Sequence, residues 1–411
     1  MDVIYERCCG LDLHKRMVVA CLIARGSDGK PTKTIRTFGT MTEDLLAMAD
    51  WLRQAECTHV AMESTGVFWK PVYNLLEGTF ELLLVNARHI KAVPGRKSDV
   101  QDCEWIADLL QHGLLQPSFV PDRAQRELRE LTRYRMTLVR ERTAVANRLQ
   151  KILEGANIKL ASVATDILGT SGREILSALV AGETDAAVLA DHARGRLRSK
   201  LRDLQRALAG RIGEHQRFMI RQQLAHIDFL ETALAQVSAE IAERLRSEEA
   251  AIGHLDSIPG IGRQVAEALV AEVGTDMGRF ASAHHLASWA GICPGNYRSA
   301  GKQRSGKTRK GDPWLRALLV QAAHAAARRK GTYLAAQYAR LAARRGKSRA
   351  AVAVAHSILV IAYHLLERGT DYQDLGPNYF EERDRQATQR RLVRRLEGLG
   401  FTVTLESTAV A

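Results

Sequence analysis

Residues 8–24, CCGLDLHKRMVVACLIA, decide the fold. Apolar residues run up to Asp12 and resume at Met17, with His14-Lys15-Arg16 between them. That pattern predicts two strands within 5–25, joined by a tight polar turn. Working outward, Gly29-Lys30-Pro31 leads into a third strand at about 34–38, and Thr42 is placed to cap a helix over 43–54. A strand at 59–63, a helix at 69–76 and a strand at 80–85 follow. Three early strands and then alternating helix and strand predict an α/β layer on a mixed sheet.

That order of elements is the ribonuclease-H-like pattern, and it gives four carboxylates a shared setting. Asp12 sits at a strand end in GLDLHK, and Glu63 ends a later strand in AMESTG. Asp99 and Asp102, in KSDVQD, are three apart and share a face if a helix begins there with Ser98 as its cap. Oxygen donors so grouped suit Mg²⁺ or Mn²⁺, which keep waters that phosphate oxygens can displace. Two such ions could clamp a scissile phosphate. Singly, each acid reads as a solvated loop residue or a helix-start charge. Glu104 and Asp108 are nearby spares that face elsewhere, and Trp105 and Ile106 should lay their helix against the sheet.

The rest of the chain is helical. A helix over 122–154 carries Leu128, Leu131, Leu138, Val145, Leu149 and Ile152. Another over 216–246 carries Ile220, Leu224, Ile227, Leu230, Leu234, Val237, Ile241 and Leu245. This spacing fits a coiled coil, an antiparallel helical hairpin, or helices packed within one domain. Pro259-Gly260-Ile261-Gly262 reads as an interhelix turn of helix-hairpin-helix type, in which Gly260 and Gly262 present N–H groups to a phosphate. The same glycines also suit a plain tight turn. Alanine-rich helices at 313–329 and 349–367, a basic helix at 386–396 and a short strand at 401–405 complete the reading.

Charge points to the partner. The chain has 411 residues and a net charge of +13, and 46% of it is hydrophobic, enough to build cores. Residues 296–349 hold 15 Lys and Arg against one acid, Asp312. A solvated face normally interleaves both signs, so a one-sign block predicts a polyanion, most simply nucleic acid. Lys302, Arg304, Lys307, Arg309, Lys310 and Arg316 are its candidate phosphate contacts. The six cysteines form no CxxC pair, so they are read as reduced structural thiols rather than zinc ligands. With neither a signal peptide nor a run of about 20 apolar residues, the expected location is cytoplasmic, with no membrane partner.

Taken together, GLDLHK, AMESTG, GRKSDVQD, IPGIG, FASAHHLASWAGICPGN and SAGKQRSGKTRKGDPWLR resemble transposases of the insertion sequence 110 family over nearly the whole length. The resemblance implies an α/β plus α chain in three parts. These are a RuvC-like metal-binding domain over 1–121, a coiled-coil linker over 122–250 and a mainly helical transposase domain over 251–411. It carries an Asp-Glu-Asp-Asp metal site onto Asp12, Glu63, Asp99 and Asp102, and a serine nucleophile onto Ser299 in NYRSAGKQR. Ser305, in RSGK, is the alternative nucleophile. It further implies a composite active site and strand exchange through a phosphoserine linkage on double-stranded DNA. A guide or bridge RNA and assembly from dimer to tetramer come from the same source. Absence of a GxxxxGK[ST] loop agrees with chemistry that needs no ATP. A site-specific invertase or hydrolytic junction nuclease would use the same carboxylates. A non-catalytic nucleic-acid-binding regulator would need only the basic block.

Overall fold

The computed structural model describes residues 2–26, 31–64, 66–86, 102–294, 297–299, 302–305, 308, 311–383 and 385–405. For 297–299, 302–305 and 386–388 it describes the backbone path alone. The chain falls into two compact units, Met1–Arg123 and Ala124–Ala411.

The first unit is built on strands β1 (Arg7–Leu13), β2 (Met17–Arg25), β3 (Pro31–Gly39), β4 (His59–Glu63) and β5 (Glu81–Val85). Their order across the sheet is β3-β2-β1-β4-β5. β1, β2 and β3 pair antiparallel, and β1, β4 and β5 pair parallel, which is the mixed sheet expected. Side chains alternate faces along β1. Cys9, Leu11 and Leu13 join the core under α1 (Thr42–Gln54) and α2 (Trp69–Leu76). Cys8 joins the opposite core, under α3 (Asp102–Gln111). α1 buries Leu45, Met48, Ala49 and Leu52, an i, i+3, i+4, i+7 stripe. Each Leu or Met buried this way contributes about 1.5–3 kcal/mol. Ile106 is buried and Trp105 packs beside it, so α3 lies on the sheet as expected. One detail is corrected: Met41, not Thr42, occupies the N-cap of α1, and no side chain caps it. The edge strand β3 is exposed along most of its length. Pro31, Lys33 and Arg36 blunt it against pairing with another chain.

In the second unit, α4 (Arg123–Gly155) and α9 (Glu214–Arg244) run antiparallel. Arg244 meets Glu127 at 3.0 Å, Arg142 meets Glu231 at 2.6 Å, and Arg148 reaches Gln223 at 3.4 Å. Between them lie α5 (Leu160–Val163), α6 (Thr170–Ala181), α7 (Ala186–Asp191), a 3₁₀ turn (Gly195–Lys200) and α8 (Leu201–Leu208). These bury Leu138, Val145, Leu149, Ile220, Ile227 and Leu230 in a shared core. The apolar stripes legible in the sequence are thus used inside one chain, as a helical hairpin.

The other core gathers α10 (Glu249–Asp256), α11 (Arg263–Val273), α12 (Ala283–Trp289), α13 (Pro313–Arg328), α14 (Tyr333–Arg345) and α15 (Lys347–Arg368). α15 is long and apolar enough to cross a membrane, but Val354, Ala355, Ile358 and Leu359 are buried at the centre of this core. α14, capped by Thr332, was hidden in the sequence by its arginines. Two further helices, α16 (Tyr379–Arg383) and α17 (Arg385–Glu397), follow. Residues 401–405 form no strand, contrary to expectation: they are largely exposed and pair with no described strand.

Candidate functional site

Register brings the first two acids together. β1 and β4 pair in parallel with Leu11 opposite Met62, so the next step sets Asp12 beside Glu63 at the carboxyl ends of both strands. Neighbouring strands lie about 4.8 Å apart. Cys8 and Ala61 both belong to the core under α3, so the alternation that carries them carries Asp12 and Glu63 to that same face.

Gly10 brings the third acid in. A Cβ there would lie 2.3 Å from Cys103 O and 2.4 Å from Ala107 N, so only glycine lets α3 settle onto β1. The far end of α3 is fixed where Ile4 N donates to Gln111 O at 2.9 Å. α3 therefore runs against β1, and Asp102, its first residue, lies toward the Asp12 end. Burial pushes the Cys103 thiol up, and the nearby Asp12 carboxylate adds to the shift. Asp12 itself meets His14 Nε2 at 3.1 Å, a neighbour the sequence reading missed although i and i+2 share a strand face. Asp108 faces elsewhere, as expected, in an ion pair with Lys33 at 2.9 Å. Asp99 lies outside the described residues.

The donor set suits a hard divalent cation. Asp12, Glu63 and Asp102 offer carboxylate oxygens, and all three are partly exposed. The thiols on the same sheet are withdrawn: burial pushes Cys8 and Cys21 up to about 12. Oxygen ligands without thiolates favour Mg²⁺ or Mn²⁺ over zinc. Among the described residues, no three His, Cys, Asp or Glu side chains already stand in metal-holding geometry.

The two candidate serines sit at opposite ends of a small ribbon. β6 (Tyr297–Ser299) pairs antiparallel with β7 (Lys302–Ser305), with Ser299 opposite Lys302 and Ser305 opposite Tyr297. Ser299 is therefore at the tip, before the two-residue link Ala300-Gly301, and Ser305 is at the base. A bridge between Pro294 and Thr308 extends the base, and Arg316 donates to Thr308 Oγ1 at 2.8 Å. Gly311 holds that base close, since a Cβ there would lie 2.4 Å from Gly291 N. Lys302 and Arg304 are on the ribbon; Lys307, Arg309 and Lys310 lie outside the described residues.

Asp312, the one acid of the basic block, has two structural duties. Its Oδ1 accepts from Trp314 N and Leu315 N, capping α13, and its Oδ2 accepts from Arg133 at 2.7 Å. Gly260 is a packing glycine: its φ is +94°, and a Cβ would lie 2.5 Å from both Ala322 O and Ala326 N. Gly262, exposed at the start of α11, leaves that helix without a side-chain cap.

Comparison with known proteins finds matches in two stretches of the chain. A family model described as a transposase, DEDD_Tnp_IS110, matches residues 9–158. A second, described as the transposase IS116/IS110/IS902 family, matches residues 253–339. A protein of Pseudomonas aeruginosa described as "Probable family 20 transposase" is 27% identical over 329 residues, covering 79% of this chain and 88% of that one. The transposase for insertion sequence element IS1111A of Coxiella burnetii is 26% identical over 304 residues, covering 71% and 72%.

Proposed function

Because this chain belongs to the IS110 family of transposases, a class of DNA-recombining enzymes, we propose that it moves its own element by metal-dependent strand exchange through a phosphoserine linkage. The observation that carries this reading is the alignment of Asp12 with Glu63 on the face where α3 begins at Asp102.

Asp12, Glu63 and Asp102, joined by Asp99, would hold the cation. When bound, it would neutralise phosphate charge and stabilise attacking and leaving oxygens. The remaining steps belong to the chain. Ser299 Oγ gives up its proton and attacks the phosphorus, a P–O bond to Ser299 forms, the P–O bond to a sugar oxygen breaks, and that oxygen takes up a proton to leave as a hydroxyl. A second strand's hydroxyl then attacks, its own P–O bond forms, and Ser299 Oγ is released and reprotonated. One P–O bond replaces another at each step, so no nucleotide cofactor is consumed.

A serine hydroxyl is a weak nucleophile and needs electrostatic help. The basic residues of and after the ribbon, Lys302, Arg304, Lys307, Arg309, Lys310 and Arg316, would supply it around the phosphate. Ser299 is preferred over Ser305 because a ribbon tip can enter a DNA groove, whereas the base is tied to Thr308 and Gly311. A guide RNA pairing with double-stranded target and donor DNA would leave the protein backbone and shape contacts, which its arginine-rich, aromatic-poor composition suits. Assembly from dimer to tetramer would let subunits share the two half-sites.

The test is a cleavage assay with purified chain, Mg²⁺, candidate guide RNA and labelled element-end DNA, resolved on denaturing gels with and without protease. A protease-sensitive adduct in wild type, absent from both Ser299→Ala and Asp12→Ala, is the expected result. Free ends that persist in Ser299→Ala would make the enzyme a hydrolytic nuclease. Activity indifferent to Asp12→Ala and to chelation would reduce it to a binding regulator.

A further inference from the structure

The segment between the two family-matched regions carries a second basic surface that the catalytic reading does not use. Residues 194–211, RGRLRSKLRDLQRALAGR, contain seven Lys and Arg and one acid, Asp203. Arg194, Arg196, Arg198, Lys200, Arg202, Arg206 and Arg211 are all exposed. Arg194 pairs with Glu174 at 2.7 Å. Among the described residues, none of the other six has a carboxylate partner, although the rest of this unit pairs its arginines freely.

The surface is built rather than loose. Leu204 and Leu208 are buried in the hairpin core, and Leu197 and Leu201 pack against it from the turn before. On α8, Leu201, Leu204 and Leu208 point one way, and Arg202 and Arg206, one helical turn apart, point the other. Lys200 Nζ donates to Val163 O at 3.3 Å and lines, with Ser162, Asp203 and Arg206, a polar cleft of about 440 Å³. Charge repulsion among six cations held by a common core costs stability, and a bound polyanion removes that cost.

We infer that the α7–α8 face of the helical hairpin is a second nucleic-acid contact, gripping the phosphate backbone of a duplex. Between Asn157 and Arg217 there is no Phe, Tyr or Trp. Single-strand binders stack bases on aromatic rings, and this face has none to offer. Arginines without such platforms position a backbone and read no sequence. The surface would steady a long DNA or RNA duplex without supplying a nucleophile or a carboxylate site, so its role is retention rather than chemistry.

The experiment uses the full chain, with fluorescence anisotropy on labelled duplex DNA, duplex RNA and single-stranded DNA across a salt series. One variant combines Arg196→Gln, Arg198→Gln, Arg202→Gln and Arg206→Gln; a control combines Arg→Lys at the same four positions. The expected result is a drop in duplex affinity of about tenfold or more at low salt, with the log–log salt slope shallower by about 0.9 for each phosphate the variant no longer neutralises. The lysine control should keep the wild-type slope, and the duplex whose slope changes identifies DNA or RNA as the source. Wild-type slopes in the glutamine variant, loss confined to single strands, or equal loss in the lysine control would each overturn the inference. This test reads duplex affinity and the cleavage test reads a protease-sensitive adduct, so failure here leaves the cleavage reading to its own test.

Discussion

The two units treat carboxylates in opposite ways. In the second, Glu267, at 4% side-chain exposure, meets Arg135 at 2.5 Å, and Glu272, at 3%, takes two hydrogen bonds from Arg133 at 2.7 and 2.8 Å. Arg129 closes over Glu272 from the other side. In the first unit, Asp12 stays about a quarter exposed at a strand end, with His14 rather than an arginine beside it. Glu63 and Asp102 are also left partly open to solvent. A carboxylate buried against guanidinium is saturated and serves the fold. One left half-open on an aligned strand end stays within reach of a ligand from solvent, and that difference sets the acids proposed to hold a cation apart from those that serve the fold.

The largest expected effect tests that division from the open side. Asp12→Asn and Glu63→Gln should each cut strand cleavage by a factor of about a thousand or more, roughly 4 kcal/mol of barrier. Both should leave the thermal midpoint within about 2 °C, since an isosteric change at a partly exposed strand end leaves the core packing intact. A large drop in stability with either variant would place these acids with Glu272 instead.

The closed side should respond the other way. Glu272→Ala leaves Arg133 and Arg129 without their shared carboxylate in a buried setting, and removing one partner of such a pair costs about 3–5 kcal/mol. Urea denaturation should show the loss. Cleavage per folded molecule, measured well below the new midpoint, should stay near wild type.

Two neighbouring glycines sharpen the contrast on a smaller scale. Gly260→Ala forces a positive φ and drives a methyl into the α13 backbone, so about 2–3 kcal/mol of stability should go. Gly262→Ala meets no atom closer than 4.0 Å, with its φ at −118°, and should cost well under about 1 kcal/mol. Equal losses would mean that the PGIG turn is held by something other than packing on α13.

How legible these regions were follows from their periodicities. A strand repeats every two residues, so CCGLDLHK gave both the pleat and the position of Asp12 at its end. Even Gly10 was visible as a glycine, though the approach of α3 that requires it belongs to tertiary structure. The helical unit was harder because one apolar stripe fits a coiled coil, a hairpin and a core helix equally well. The cross-pairs Arg244–Glu127, Arg142–Glu231 and Arg148–Gln223 identify the hairpin. The basic block hid α14, and the β6–β7 ribbon within it is too short for strand alternation to register. Asp312 looked like an exception to a charge run and is instead its anchor. The basic 194–211 surface escaped notice because nearby acids, including Glu183 and Asp185, offset it in a whole-chain sum without pairing with it.

The smallest effect concerns protons, and it is shared by the two units. Burial lowers the His356 pKa, and the His284 ring at 6.4 Å adds to the shift. Burial lowers His59 in the same direction, partly offset by Glu81. In each case the unfolded chain takes up the proton first as the pH falls. The associated stability is therefore complete above the unfolded value of 6.5 and declines as pH drops from there toward the lowered folded value. For His356, half-buried and partly screened by solvent, the loss should stay under about 1 kcal/mol between pH 7.5 and 5.5. Urea denaturation of wild type and His356→Gln at the two pH values measures it. The variant should lose less stability on acidification, while His59→Gln does the same for the first unit alone. If His356→Gln acidifies like wild type, the pH response of the second unit lies in its buried ion pairs, and the contrast between open and closed carboxylates would then extend to proton uptake.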